Sequence, residues 1–331
     1  MPPLPAYPHP CAPPWFARGG HAQTLLGHLL PSPEPPVSTQ PGARRLEVPL
    51  DDGDRLVAHV LSGTSDLRVH LFHGLSGDAD ADYMRRAAAV FRARGHTVVA
   101  GNHRGCGAGR GLARRPYHSG SGTDLATVLD ASRREAPRAK HVAIGYSLSG
   151  NALLLAAAQG RLAHLDGLIA VCPPVDLART SRALNAGWAR LYELRFTRRL
   201  RNAIREREGK VPRAIGPWAS MRDLEEHYTA PRGGFRGADD YHERCSAFAH
   251  LAQVPIPAVV LATRDDPFAQ ADYAALELPE HVHLHLEDHG GHTGFLTARG
   301  RGCARWLEGA LVHYVEALTA RSAGVRFVAG S

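Results

Sequence analysis

Long hydrophobic runs are missing from this 331-residue chain. No stretch of ~18 or more apolar residues occurs, so no transmembrane helix is expected. The N-terminus, Met-Pro-Pro-Leu-Pro, has no basic segment leading into an apolar one, and no secretory signal is expected. Cysteine is scarce. Cys11, Cys106, Cys172, Cys245 and Cys303 are scattered, odd in number and without a C-x-x-C pair. Reduced thiols in a cytoplasmic protein are the expectation. Lysine is nearly absent: Lys140 and Lys210 stand alone among 39 basic residues, and the rest are arginines. Arginine binds carboxylate and phosphate with a planar fork that lysine lacks.

What is present is ordinary for a globular protein. Hydrophobic residues make up 44% and charged residues 21%, too apolar a mixture for a disordered chain. Half of the 24 prolines fall in residues 1–41. Proline fixes φ and removes a donor, so this segment reads as an extended arm, with Leu25, Leu26, Leu29 and Leu30 as candidate anchors.

Beyond the arm, short β-like runs alternate with helical ones. The expected strands are Arg45–Leu50, Arg55–Leu61, Arg68–Phe72, Thr97–Ala100, His141–Tyr146, Leu168–Cys172, Ala258–Ala262 and His281–Leu286. Helices are expected near 80–94, 122–135, 148–159, 270–276 and 297–320. Several strands are almost wholly apolar, as parallel strands covered on both faces should be. A hairpin over Asp51-Asp52-Gly53-Asp54 followed by β-α units predicts an α/β fold with an eight-stranded, mostly parallel sheet. The core is expected at 42–175 and 251–331. A helical cap is expected at 176–250, where the gap between strands is too long for a normal crossover. Trp188, Leu191, Tyr192, Phe196, Leu200, Ala203 and Ile204 keep a helical period there, opposite Arg195, Arg198, Arg199, Arg201 and Arg205.

Gly145-Tyr146-Ser147-Leu148-Ser149-Gly150 lies where a strand gives way to a helix. A nucleophile elbow needs that context: a sharp turn lifts the serine hydroxyl above the sheet, at a helix N-terminus that favours negative charge. Ser147 is the candidate nucleophile. A lone serine is a weak one, so a base and an orienting acid are required, in the chain order Ser, acid, His. The strand at 258–262 leads to Asp265 and Asp266; Asp266 is chosen, with Asp265 as the alternative. After the last strand, His292 is the candidate base and His289 the lesser one. Backbone N–H groups of Leu75, in His73-Gly74-Leu75, and Leu148 are the natural oxyanion donors. His281, His283 and His285 alternate on one strand face. A solvated edge strand explains them better than a metal site, and neither metal nor organic cofactor is expected. Arg104 is expected to pair with an acid such as Asp124, which sits in the first turn of a helix.

Several strings, taken in order, carry a family resemblance: G-G-H-A-Q-T-L-L (19–26), H-G-L-S-G (73–77), N-H-R-G-C-G (102–107), Y-H-S-G-S-G-T-D-L (117–125), G-Y-S-L-S-G-N (145–151), D-D-P-F (265–268) and H-G-G-H-T-G-F (289–295). In these the chain resembles the YheT-like branch of the α/β-hydrolases, with its abhydrolase-domain esterases and phospholipases. The family pattern has glycine where Ser149 stands. The resemblance implies an α/β-hydrolase fold and a Ser-Asp-His hydrolase acting on small-molecule acyl esters, with water or an alcohol as acceptor. An acyltransferase or thioesterase with the same triad, and a non-catalytic binding protein on the same scaffold, are the rival readings.

The formal net charge is +7, and residues 188–213 alone carry +6 of it. The excess is therefore no diffuse nucleic-acid signature. It belongs to one cap helix, which a solvated face explains. The sharper expectation is peripheral contact of that face with anionic lipid, or with the acidic head of a substrate.

Overall fold

The computed structural model describes residues 4–325, so residues 1–3 of the arm and 326–331 of the expected core lie outside them. Strands β1 (Ala43–Pro49) and β2 (Arg55–Leu61) form the expected antiparallel hairpin, with Gly53 at φ 84° in its turn. Next come β3 (Leu67–Phe72), β4 (Thr97–Gly101), β5 (Lys140–Tyr146), β6 (Gly167–Val171), β7 (Ala258–Thr263) and β8 (Val282–Glu287). The eight strands lie in the order β1-β2-β4-β3-β5-β6-β7-β8, and all neighbours from β4 to β8 pair in parallel.

Alternating residues of the central strands face opposite sides, and each side has its own core. Val69, Leu71, Val142, Ile144, Ile169 and Leu261 pack under α2 (Asp82–Arg92) and the C-terminal helix Leu307–Val325. Phe72, Ala143, Leu168, Ala170 and Val260 pack under α3 (Gly122–Glu135) and α4 (Leu148–Ala158). Helices thus cover both faces, which is why these strands are apolar throughout. The order reverses between β3 and β5, and at such a switch point a crevice opens outside the C-terminal strand ends.

Between β6 and β7 the chain forms α5 (Leu177–Leu184), α6 (Arg190–Glu208), α7 (Met221–Leu224), α8 (Ala230–Gly233) and α9 (Ala238–Cys245). Tyr192 and Ile204 of the expected apolar face of α6 are buried, but Trp188 and Leu191 are three-quarters and more than half exposed. The face is only partly covered because few other elements of this segment pack on it.

Four other expectations are corrected. The stretch 270–276 is no helix; only Tyr273–Ala275 makes a single 3₁₀ turn. The stretch 297–320 begins with a hairpin, β9 (Leu296–Arg299) and β10 (Gly302–Arg305), turning at Gly300 with φ 57°; helix α10 starts only at Leu307. The histidines of β8 are not a solvated face. His285 is buried and bonded to Glu287 (2.7 Å) and to the Tyr314 hydroxyl (2.5 Å), because α10 covers it, and His281 is bonded to the Val254 carbonyl (2.8 Å).

The arm is anchored differently from the expectation. Its helix α1 (Gly20–Leu29) leaves Leu25, Leu29 and Leu30 exposed and Leu26 half-buried. The buried face is Gln23, Thr24 and Gly27, with Gly20 at its start, at the i, i+3, i+4, i+7 spacing of one helix stripe. Small and polar residues stand there because α1 docks backbone to backbone. A Cβ on Gly20 would lie 1.7 Å from the Asp265 carbonyl oxygen, and one on Gly27 would lie 2.5 Å from Gly294 Cα. The Gln23 amide donates to the carbonyls of Ala17 (2.8 Å) and Leu296 (2.9 Å) and accepts from the Leu296 N–H (2.7 Å).

Candidate active site

Every candidate residue lies at the C-terminal edge of the parallel strands. Ser147 follows β5 directly and takes φ 52°, ψ −120°, a region that costs a non-glycine residue about 1–3 kcal/mol. Its N–H donates to the Val171 carbonyl (2.8 Å), which ties the turn to β6. The turn closes only because Gly145 has no side chain; a Cβ there would lie 2.7 Å from the Ser149 carbonyl group.

Ser147, His292 and Asp266 form one hydrogen-bonded chain. His292 Nε2 is 2.9 Å from Ser147 Oγ, and His292 Nδ1 is 2.7 Å from Asp266 Oδ2. Asp266 is buried; its second oxygen accepts from the N–H groups of Phe268 (3.0 Å) and Ala269 (2.8 Å). These bonds hold the carboxylate aimed at the imidazole. The Phe268 ring packs on His292 at 4.3 Å between centroids. The alternatives stand apart. Asp265 accepts from the Gly291 N–H (2.8 Å) and lies 3.6 Å from the half-exposed His289, at the rim. The N–H of His292 donates to Thr24 Oγ1 (2.9 Å), so the arm helix fixes the loop that carries the imidazole. Sequence reasoning missed Gln23 and Thr24; the stripe 20, 23, 24, 27 was the available signal.

The second loop is built by tyrosines. Tyr83 OH accepts from the Gly74 N–H (2.9 Å) and Tyr117 OH from the Ser76 N–H (2.7 Å). Burial pushes both phenols well above their usual range, so they stay neutral. Between these two pinned groups the Leu75 N–H has no acceptor among the described residues, and neither has that of Leu148 at the start of α4. Leu75, Leu148 and Ser147 line one cavity. Gly74 permits the approach: a Cβ there would lie 3.1 Å from Ser147 Cβ.

Ser149, where the family pattern has glycine, is fully buried and tied to this loop. Its hydroxyl donates to the His73 carbonyl (2.5 Å) and meets His103 Nε2 (2.7 Å). Burial drops the His103 pKa well below its usual value, so the ring is neutral. Arg104 has a structural role: it grips Asp124 with two bonds (2.6 and 2.8 Å) and also binds Asp52 and Asp54 (2.7 Å each). Burial works against the charged guanidinium, but these carboxylates outweigh it and raise its pKa.

Two chambers lie side by side at this edge, with Tyr117 and Leu200 in the walls of both. The smaller, about 90 Å³, is apolar and lined by Leu177, Leu184, Phe196, Met221 and Phe268 together with Ser147. The larger, about 530 Å³, is polar and lies under α6. Cys172, Asp266 and His292 offer ligand atoms within 4.8 Å of one another, but burial and the neighbouring Asp266 push the Cys172 thiol well above its usual range, so it stays protonated.

A sequence profile described as the α/β hydrolase fold matches residues 68–298. The chain is 31% identical over 304 residues to the Escherichia coli K12 protein named "Putative esterase YheT", covering 87% of each chain. It is 24% identical to human "Phospholipase ABHD3", covering 92% of this chain and 77% of that one. Among solved structures, the Pyrococcus furiosus esterase Pf2001 superposes with a TM-score of 0.53 at 16% identity, over 78% of this chain and 86% of that one. The 2,6-dihydroxy-pseudo-oxynicotine hydrolase superposes with a TM-score of 0.57 at 17% identity, over 85% and 69%. At such identities these two show the fold alone. The fold and the strand-edge site define an α/β hydrolase. The chain belongs to that family, and within it to the branch of abhydrolase-domain esterases that includes YheT.

Proposed function

We propose that the protein is a serine esterase that cleaves small-molecule acyl esters through an acyl-enzyme. The observation that carries this reading is the unbroken chain Ser147–His292–Asp266 beside two unused N–H groups. Ser147 Oγ attacks the acyl carbonyl while His292 Nε2 takes its proton. The developing oxyanion accepts from Leu75 and Leu148, a stabilisation of several kcal/mol. Asp266 holds the tautomer and the charged imidazole. The C–O bond to the alcohol then breaks, and His292 returns the proton to the departing oxygen. Water, activated by the same imidazole, releases the acid and restores Ser147. No step calls for a metal or an organic cofactor.

The acyl chain occupies the small apolar chamber, and residues 176–250 act as the cap that closes over it. An alcohol in place of water would make the enzyme an acyltransferase. A yeast relative at 24% identity is named "Medium-chain fatty acid ethyl ester synthase/esterase 2", although the chain spans only 58% of it. Ester product formed in the presence of added ethanol tests this.

No helix among the described residues is long and apolar enough to cross a membrane. Contact with an anionic lipid surface is instead peripheral, through Trp188, Leu191 and Trp218, which are exposed beside Arg198 and Arg201. Five unpaired cysteines suit a reducing cytoplasm, where these esters are met.

Nitrophenyl esters of increasing acyl length test the main reading. Activity is expected on the shorter chains, falling as the chain outgrows the chamber, and reduced at least ~10⁴-fold in Ser147→Ala. Unchanged turnover in that variant would overturn it.

A further inference from the structure

The larger chamber has a composition that ester hydrolysis alone does not require. Arg195 and Arg199 stand one turn apart on α6 and line it, together with Arg207 of the same helix and Arg110. Among the described residues Arg110, Arg195 and Arg199 have no carboxylate partner, and Arg207 meets only the Tyr228 hydroxyl (3.2 Å). Most other charges of the chamber are already engaged. Arg86 is bonded to Glu308 (2.6 Å), Asp82 to Arg85, and Asp78 accepts from the Asp80 N–H (3.0 Å). Glu206 is the exception; it is exposed, and its carboxylate stands among the cations. Arg195 and Arg199 repel one another at this spacing. Partial burial, then Arg199, hold Arg195 below the usual guanidinium range. Two adjacent cations with no carboxylate bonded to either among the described residues are an arrangement an anion would relieve.

The chamber's place fixes which part of a substrate would enter. Its wall contains Ser76 and Gly77, next to the oxyanion donor Leu75, and Thr293, next to His292. Tyr117 and Leu200 belong to the walls of both chambers, so the larger one adjoins the chamber that Ser147 lines. The imidazole must reach the departing oxygen to return its proton. The alcohol therefore leaves on the side bordered by Thr293, while the acyl chain fills the apolar side.

Resting on the esterase reading above, we propose that the larger chamber binds a phosphate group carried on the alcohol portion of the ester, gripped by Arg195 and Arg199 with Arg110 and Arg207 in support. Guanidinium forks match phosphate oxygens and hold them with charge-assisted bonds. The phosphate arrives either on a soluble phosphorylated alcohol or on a lipid headgroup.

Hexanoyl glycerol 3-phosphate and hexanoyl glycerol, both monomeric, separate the charge from the acyl chain. The wild-type protein should favour the phosphate ester in kcat/KM by about 10-fold or more. The double variant Arg195→Gln/Arg199→Gln should cut that ratio by about 10–100-fold. Both positions are exposed, so folding survives the change, and a Glu206→Gln variant should raise the ratio. Calorimetry on Ser147→Ala with glycerol 3-phosphate reads the chamber without catalysis: binding that disappears when Arg195 and Arg199 are also changed supports the site. A wild-type ratio near one, or a ratio unmoved by the arginine change, overturns it. The same phosphate ester presented in vesicles separates the sources. A preference seen only in vesicles would place the arginines at a membrane and overturn the chamber site. Hydrolysis that persists in Ser147→Ala would instead overturn the esterase reading, while the binding result still decides the chamber.

Discussion

The Ser149 hydroxyl donates to the His73 carbonyl oxygen across 2.5 Å, two residues before the free Leu75 N–H. Ser149 Oγ also meets His103 Nε2, so two loops at the strand edge are held by one side chain. Ser149→Ala leaves that carbonyl and that imidazole N–H buried and unpaired. A loss of about 1–3 kcal/mol in stability is expected, together with a fall in kcat of about 10-fold or more and little change in KM, because the oxyanion donor acts mainly in the transition state. Urea unfolding and steady-state kinetics check it; wild-type kcat in a destabilised variant would restrict Ser149 to packing.

The arm helix is expected to matter for turnover as well as for folding. Thr24→Val removes the acceptor of the His292 N–H, and Gln23→Ala strands the Leu296 N–H and two carbonyls. Gln23→Ala should cost roughly 2–4 kcal/mol of stability. Thr24→Val should lower kcat several-fold with a smaller loss of stability. Thermal melts and kinetics on both variants test this, and wild-type values throughout would detach the arm from the site.

Stability should fall on mild acidification. Burial lowers His118 to about 4 and His70 and His103 well below the ordinary value. An unfolded imidazole takes up its proton near 6.5. Between pH ~6.5 and ~4 the unfolded chain therefore binds more protons than the native one, and stability drops as pH drops. It is complete above ~6.5. By pH 5 each such imidazole should cost on the order of 1–2 kcal/mol. Urea midpoints measured from pH 8 to 5 check the slope, and a flat profile contradicts it.

The exposed apolar face should carry lipid binding. Sedimentation with vesicles containing phosphatidylserine is expected to be salt-sensitive, and Trp188→Ala/Leu191→Ala/Trp218→Ala should weaken it about 10-fold or more. Equal binding to neutral vesicles, or by the triple variant, would remove the lipid contact.

Much of this was legible in the sequence, for physical reasons. Near-continuous apolar strands announced a covered parallel sheet, and Gly145 before Ser147 announced a turn too tight for a side chain. Asp266 is the choice from sequence, but Asp265 stays an alternative there because the decision depends on direction: one carboxylate accepts from the Gly291 N–H, the other meets His292 Nδ1. The arm's anchoring is not legible in the same way, because the leucines of α1 are exposed or half-buried. Its docking is carried by absent side chains and one amide, which hydrophobic patterning does not detect. The β9–β10 hairpin escaped because four-residue strands are too short to show a period. The two chambers were beyond reach, since they form only when α6 lies over the strand ends.

The central claim is that Ser147 is an activated nucleophile. Intact-protein mass spectrometry after treatment with a fluorophosphonate tests it most directly. One adduct per chain on the wild-type protein, mapped to Ser147, slowed strongly in His292→Ala and absent from Ser147→Ala, is the predicted result. No adduct on the folded wild-type protein, or equal labelling of Ser147→Ala, would contradict it.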